Sequence, residues 1–108
     1  MIRITEEEYK NLQPGIGRVF VIPDMDSHVD SSTGIQVVRD ESEQEFGRVW
    51  RVSPDVWKHN VDIIPGAGVV YAKTSMEVFE VEVEGQITVR IRSVFWQDIA
   101  GIINSQRN

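Results

Sequence analysis

Asp24, Asp26, His28 and Asp30 stand at every second position of the stretch DMDSHVD, a run of oxygen and imidazole donors suited to a divalent cation. The calcium loop it approaches needs glycine at its sixth position and glutamate at its twelfth. Counted from Asp24, the chain supplies Val29 and Ile35 instead. With no cysteine and only two histidines, His28 and His59, a transition-metal site would need ligands gathered from distant parts of the fold, and neither a metal nor another cofactor is expected. The segments PGIGR and PGAGV are rich in glycine, but neither runs on into the Gly-Lys-Ser/Thr of a phosphate loop, so both read as turns. No Gly-x-Ser-x-Gly elbow presents a nucleophile. Glu80, Glu82 and Glu84 alternate along one strand-like stretch and Arg90 and Arg92 along the next. General acid or base work needs a desolvated or coupled carboxylate, and a regularly alternating row reads as a solvated strand face instead. No catalytic residue is nominated, and the chain is not expected to be an enzyme.

The elements that would carry these residues are strands. Period-two alternation runs through GRVFVIP (17–23), FGRVWRVSP (46–54) and FEVEVEGQITVRIR (79–92), while sustained helical periodicity is nearly absent. Pro23 and Pro54 stop the first two strands. VDIIPGAGVVYAK (61–73) carries a Pro-Gly turn signal between two apolar runs, and TEEEYKNL (5–12) suits one short helix capped by Thr5. Stretch 79–92 predicts an antiparallel hairpin turning at residues 85–87. Valine and isoleucine stay on one face only if paired numbers have an even sum. That register sets Val83 opposite Val89, Val81 opposite Ile91, Glu82 opposite Arg90 and Glu80 opposite Arg92.

A chain of 108 residues is enough for one domain with a single core and too short for two ordinary ones. Seventeen acidic against eleven basic residues give a net charge of −6, which repels phosphate backbones, so nucleic acid is not an expected partner. Trp50, Trp57 and Trp96 then read as core or subunit-contact residues and not as base-stacking platforms. No apolar run approaches the roughly 20 residues that span a bilayer, and the start MIRITEEEYK lacks the order of a signal peptide. Together with the missing cysteines, this predicts a soluble, cytoplasmic protein without a membrane partner.

One long stretch fits neither strand nor helix. Residues 24–45 are filled with Ser, Asp, Glu and Thr, yet Gly34-Ile35-Gln36-Val37-Val38 sits in the middle. Connections beyond about 12–15 residues in a compact domain are usually disordered or functional. The composition predicts a mobile loop whose Ile35 and Val37 enter an apolar groove on a partner.

The ordered set of features resembles the GroES-type co-chaperonins. RVFVI matches the first strand of that family, SSTGIQVV the tip of its mobile loop, GRVWRVSP the following strand, VDIIPGAGVVY the next, and SVFWQDIAGII the terminus. The resemblance covers residues 17–103 and leaves 1–16 as an N-terminal extension. It departs in having one glycine before the tip, a polar Gln36 within it, and only SPDVWKHN where a roof hairpin would fold. Short or missing roofs are similar to those of phage-encoded co-chaperonins, which would place the protein in a host cytoplasm. The resemblance implies a small irregular β-barrel with a short or absent roof hairpin. It also implies a homoheptameric ring that caps an ATP-dependent chaperonin chamber through Gly34, Ile35, Gln36, Val37 and Val38, and so assists protein folding. Ring closure in the family pairs the first strand of one subunit with the last strand of its neighbour. Here that implies Arg18 or the MIRI start against Ile99, Ile102 and Ile103. The alternative is a structural or adaptor β-barrel of a virion or other oligomeric assembly, which shares the charge and the missing cysteines but needs no apolar loop.

Overall fold

In the computed structural model, which describes residues 1–23 and 44–104, the alternating stretches become strands. They are β1 (Ile2–Ile4), β2 (Arg18–Pro23), β3 (Gln44–Val52), β4 (Gly68–Ala72), β5 (Met76–Val83), β6 (Ile87–Phe95) and β7 (Ile99–Ile103). All seven join one sheet in the order β1-β5-β6-β2-β3-β4-β7. The protein is all-β apart from the helix α1 (Glu6–Lys10) and three short 3-10 turns among the described residues.

The expected barrel is not closed. Closure requires the end strands to meet, and here β1 is bonded in parallel to β5 while β7 is bonded to β4, at opposite ends of the order. The sheet nevertheless curls strongly, because Met76 of β5 and Ile99 and Ile102 of β7 pack against the same buried cluster. That main core lies on the concave face and holds Val19, Val21, Val49, Val52, Val69, Tyr71 and Val94 from the strands, with Val56, Ile63 and Ala67 from the segment after β3. A second cluster lies on the other face, where Phe20, Val81, Val83 and Ile91 pack with Ile4, Tyr9, Leu12, Trp50 and Phe79. Odd-numbered β2 residues serve the first core and even-numbered ones the second, the two-residue period of a strand buried on both sides.

β3 breaks that period. Its register against β2 pairs Phe20 with Arg51 and Val21 with Val49, so Trp50 is an extra residue in the ladder. This bulge sends both Trp50 and Arg51 to the face of the second cluster and lets Val49 and Val52, of opposite parity, share the first.

The β5–β6 hairpin forms with the even parity expected but turns one residue earlier. Val83 faces Ile87, Val81 faces Val89 and Phe79 faces Ile91, with Glu80 opposite Arg90, Glu82 opposite Thr88 and Val78 opposite Arg92. The cause is the turn itself. Glu84 and Gly85 take φ of 50° and 73°, and the Gln86 N–H donates to Val83 O at 2.9 Å. The acid–base partners are redistributed accordingly: Glu80 pairs with Arg90 at 3.7 Å, Glu82 with Arg3 of β1 at 3.0 Å, and Arg92 with Glu45 of β3 at 3.0 Å.

Thr5 caps α1 as its sequence implies. Its hydroxyl accepts from the Glu8 N–H while the Glu8 carboxylate accepts from the Thr5 N–H, a reciprocal capping box. Between β3 and β4 there is no strand pair. Residues 53–67 form the 3-10 turn Pro54–Lys58 followed by turns at Val61 and Asp62 and at Pro65 and Gly66, so of the two apolar runs read around that Pro-Gly signal only GVVYA is a strand. Asp55 anchors this segment by accepting from the Ser53 hydroxyl and from the Gly17 N–H at 3.3 Å, donors that hold its carboxyl below the ordinary range.

Candidate functional site

β2 and β3 are direct antiparallel neighbours, and their pairing runs from Val19 opposite Val52 to Pro23 opposite Gly47. Two such strands can be joined by a loop of two to five residues. This chain uses residues 24–43, many more than the geometry requires. The Gly34–Val38 segment and the Asp24, Asp26, His28, Asp30 series both fall in that stretch and lie outside the described residues.

The anchor at the base of this connection is built from residues that the sequence pattern did not single out. Glu45, the second residue of β3, accepts on Oε1 from the Tyr71 hydroxyl at 2.8 Å and from Arg92 Nε at 3.0 Å, and on Oε2 from Arg92 Nη2 at 3.2 Å. Glu45 and Tyr71 are opposite residues of β3 and β4, while Arg92 is opposite Val21. All three side chains therefore meet on the concave face and close the main core at the end where β2 stops. Tyr71 is wholly buried, and the side chains of Arg92 and Glu45 are 12% and 18% exposed. Such a fork of charge-assisted bonds ties β3, β4 and β6 together and fixes the start of β3. Gly47 completes the anchor. A Cβ there would fall onto Val21 Cγ1, 2.8 Å from Ile22 O and 3.2 Å from the Tyr71 hydroxyl, so only glycine lets β2 and β3 approach.

Burial, then the bond to Glu45 and its negative charge, push the Tyr71 hydroxyl well above its ordinary value of 10.0, with the nearby Arg92 acting against this. The folded protein thus keeps a proton that the unfolded chain releases as pH rises through 10. The stability linked to that proton is fully present below this pH and declines above it, by up to about 1.4 kcal/mol per pH unit for one proton. Tyr71→Phe should flatten this part of the alkaline decline, as urea midpoints measured between pH 8 and 11.5 will show.

The residues expected at a subunit boundary fall in two different settings. Arg18 begins β2, which is bonded on both sides, by β6 and β3, and its guanidinium donates to Ser93 O at 3.3 Å and lies 3.6 Å from Glu77. It cannot lend a free strand edge. Ile99, Ile102 and Ile103 belong to β7, an end strand of the sheet; Ile99 and Ile102 face the main core and Ile103 is 56% exposed. Ile2 and Ile4 lie in β1 at the other end. Of the tryptophans, Trp50 joins the second cluster, Trp96 packs on the main core and stacks on His59 with ring centroids 4.6 Å apart, and Trp57 is 41% exposed while donating Nε1–H to Ile63 O at 2.6 Å.

Among the described residues no three His, Asp or Glu side chains converge as metal ligands, and no helix is long and apolar enough to cross a membrane. No protein-family model, no curated protein and no solved structure matches this chain.

Proposed function

We propose that this protein is a co-chaperonin-like cap: a homoheptameric ring, without enzymatic chemistry of its own, whose 24–43 connections engage an ATP-dependent chaperonin of the GroEL type in the cytoplasm. The observation that carries the reading is the join between β2 and β3. A connection far longer than two paired neighbours need is set on an anchored base, and its centre reads Gly34-Ile35-Gln36-Val37-Val38. Three small apolar side chains return only about a few kcal/mol on burial in a partner's groove, much of it lost to ordering the segment. Seven such segments on one ring act together through effective concentration, so each can be weak and the cap still releasable. Two sheet ends unpaired among the described residues, β1 and β7, support ring closure by head-to-tail strand addition between copies, a heterologous contact of the kind that generates rings.

Native mass measurement should give a heptamer, and the protein should co-elute with a GroEL-type chaperonin only when ATP is present. Ile35→Ser should leave the ring intact and reduce assisted refolding of a denatured client to the level of the chaperonin alone. A monomer that never associates with a chaperonin overturns the reading. A stable oligomer that ignores chaperonins supports the structural or adaptor alternative instead.

A further inference from the structure

Residues 1–13 are attached to the molecule in a way that sets them apart from its main core. That core contains no residue of the segment. The segment contributes Ile4, Tyr9 and Leu12 to the second cluster, and all three are only partly buried. α1 has five residues, none of them buried, whereas an isolated helix needs about 12–15 residues to be even marginal in water. β1 has three residues and among the described residues is bonded on one side only. The order of this segment is therefore supplied by the surface on which it lies.

The contacts that hold it are few and specific. At the hairpin turn, the Glu84 N–H donates to Ile4 O at 2.9 Å and the Glu84 carboxylate accepts from the Glu6 N–H at 2.9 Å. At the other end, Arg51 Nη1 donates to Tyr9 O at 2.7 Å, which also accepts from the Leu12 N–H at 3.3 Å, and to Leu12 O at 2.5 Å, just past the end of the helix. The same guanidinium lies 4.1 Å from the Trp50 ring centre and 5.5 Å from that of Tyr9. Tyr9 and Trp50 are themselves 5.4 Å apart. Two open clefts, of 490 and 420 Å³, are lined jointly by the segment and the β5–β6 hairpin, the first by Met1 and Ile2 with Val78 and Phe79 and the second by Arg3 and Thr5 with Glu82 and Glu84. The segment then leaves through Pro14 to Gly17, where a Cβ on Gly15 would meet nothing within 4 Å, Gly15 O accepts from the Arg18 N–H at 2.9 Å, and Gly17 takes a φ of 76°.

We propose that residues 1–13 are a strap that opens as one unit while the main core stays folded, with Arg51 as its latch. Opening uncovers the aromatic surface formed by Phe20, Trp50 and Phe79. The closed strap occupies its own binding face, as an added parallel strand followed by an anchored helical turn, and so acts as an internal cover over that face.

Hydrogen exchange on the full chain at neutral pH tests this. The amides of Tyr9, Asn11 and Leu12 should exchange together at least about tenfold faster than those of Val49 and Gly66, whose bonds join β3 to the turn before β4. The amide of Glu84 lies outside the strap but bonds to Ile4, and it should follow the strap set. Arg51→Gln should speed this set by a further factor of about ten and leave Val49 and Gly66 within about twofold. Tyr9→Ala removes an anchor from the strap while leaving the sheet's own residues in place, and it should give the same pattern. The proposal is overturned if the strap amides exchange at the core rate in the parent protein, if Glu84 stays protected while the helix exchanges, or if either variant accelerates all these amides equally.

Discussion

Glu45→Ala is expected to lower the free energy of unfolding by about 3–5 kcal/mol, a large part of the roughly 5–15 kcal/mol that holds a domain of this size together. The cost comes from what is left behind and not from the bond count. Removing the carboxylate strands a guanidinium only 12% exposed and a hydroxyl on a wholly buried ring, and neither position lets water replace the lost acceptor. The urea midpoint should fall sharply with little change in slope, because the surface exposed on unfolding is nearly the same. A triple variant, Glu45→Leu with Tyr71→Phe and Arg92→Met, should recover most of the loss by removing the stranded partners as well. A Glu45→Ala loss below about 1 kcal/mol would mean that the network is surface decoration.

Gly47→Ala is the second large effect, expected at about 3 kcal/mol, the upper end of the range for overpacking. One methyl group would meet three neighbours that cannot all give way. Val21 is fully buried, Ile22 O is backbone of the adjacent strand, and the Tyr71 hydroxyl is held by Glu45. Gly101→Ala is the natural comparison, since the nearest atom to its Cβ would be Val70 Cβ at 4.0 Å, ordinary contact. Thermal melts of the two variants side by side should separate them, with Gly101→Ala staying within about 0.5 kcal/mol of the parent.

How much of this was legible in the sequence depends on the range of the interaction. Alternation reports which face each residue takes, and it correctly indicated strands at 18–23, 46–52, 79–83 and 87–92. The Thr5 cap with Glu8 three residues on is an equally local signal. Hairpin parity could be read, but the turn position could not, because nothing in VEGQI announces that glutamate as well as glycine will take a positive φ. The open sheet was hidden for a different reason: which strands neighbour β1 and β7 is decided by the whole topology. The Glu45, Tyr71, Arg92 network was missed because Glu45 ends a run of polar residues that reads as linker, and its partners lie 26 and 47 positions away. The bulge at Trp50 left only a local mark, since FGRVWRV sets Val49 beside Trp50 and Val52 out of step with Val49 without saying which residue is the extra one.

That bulge has a consequence for how the gene can vary. Length changes in the connection between β2 and β3 leave the paired strands where they are, but β3 itself has no such freedom. Deleting the Trp50 codon would restore an even ladder with Arg51 still opposite Phe20, but it would remove the ring that lies 4.1 Å from the Arg51 guanidinium and packs in the second cluster. Insertions and deletions should therefore accumulate on one side of Gln44 and be purged on the other, a boundary between variable and fixed length inside a single β-hairpin.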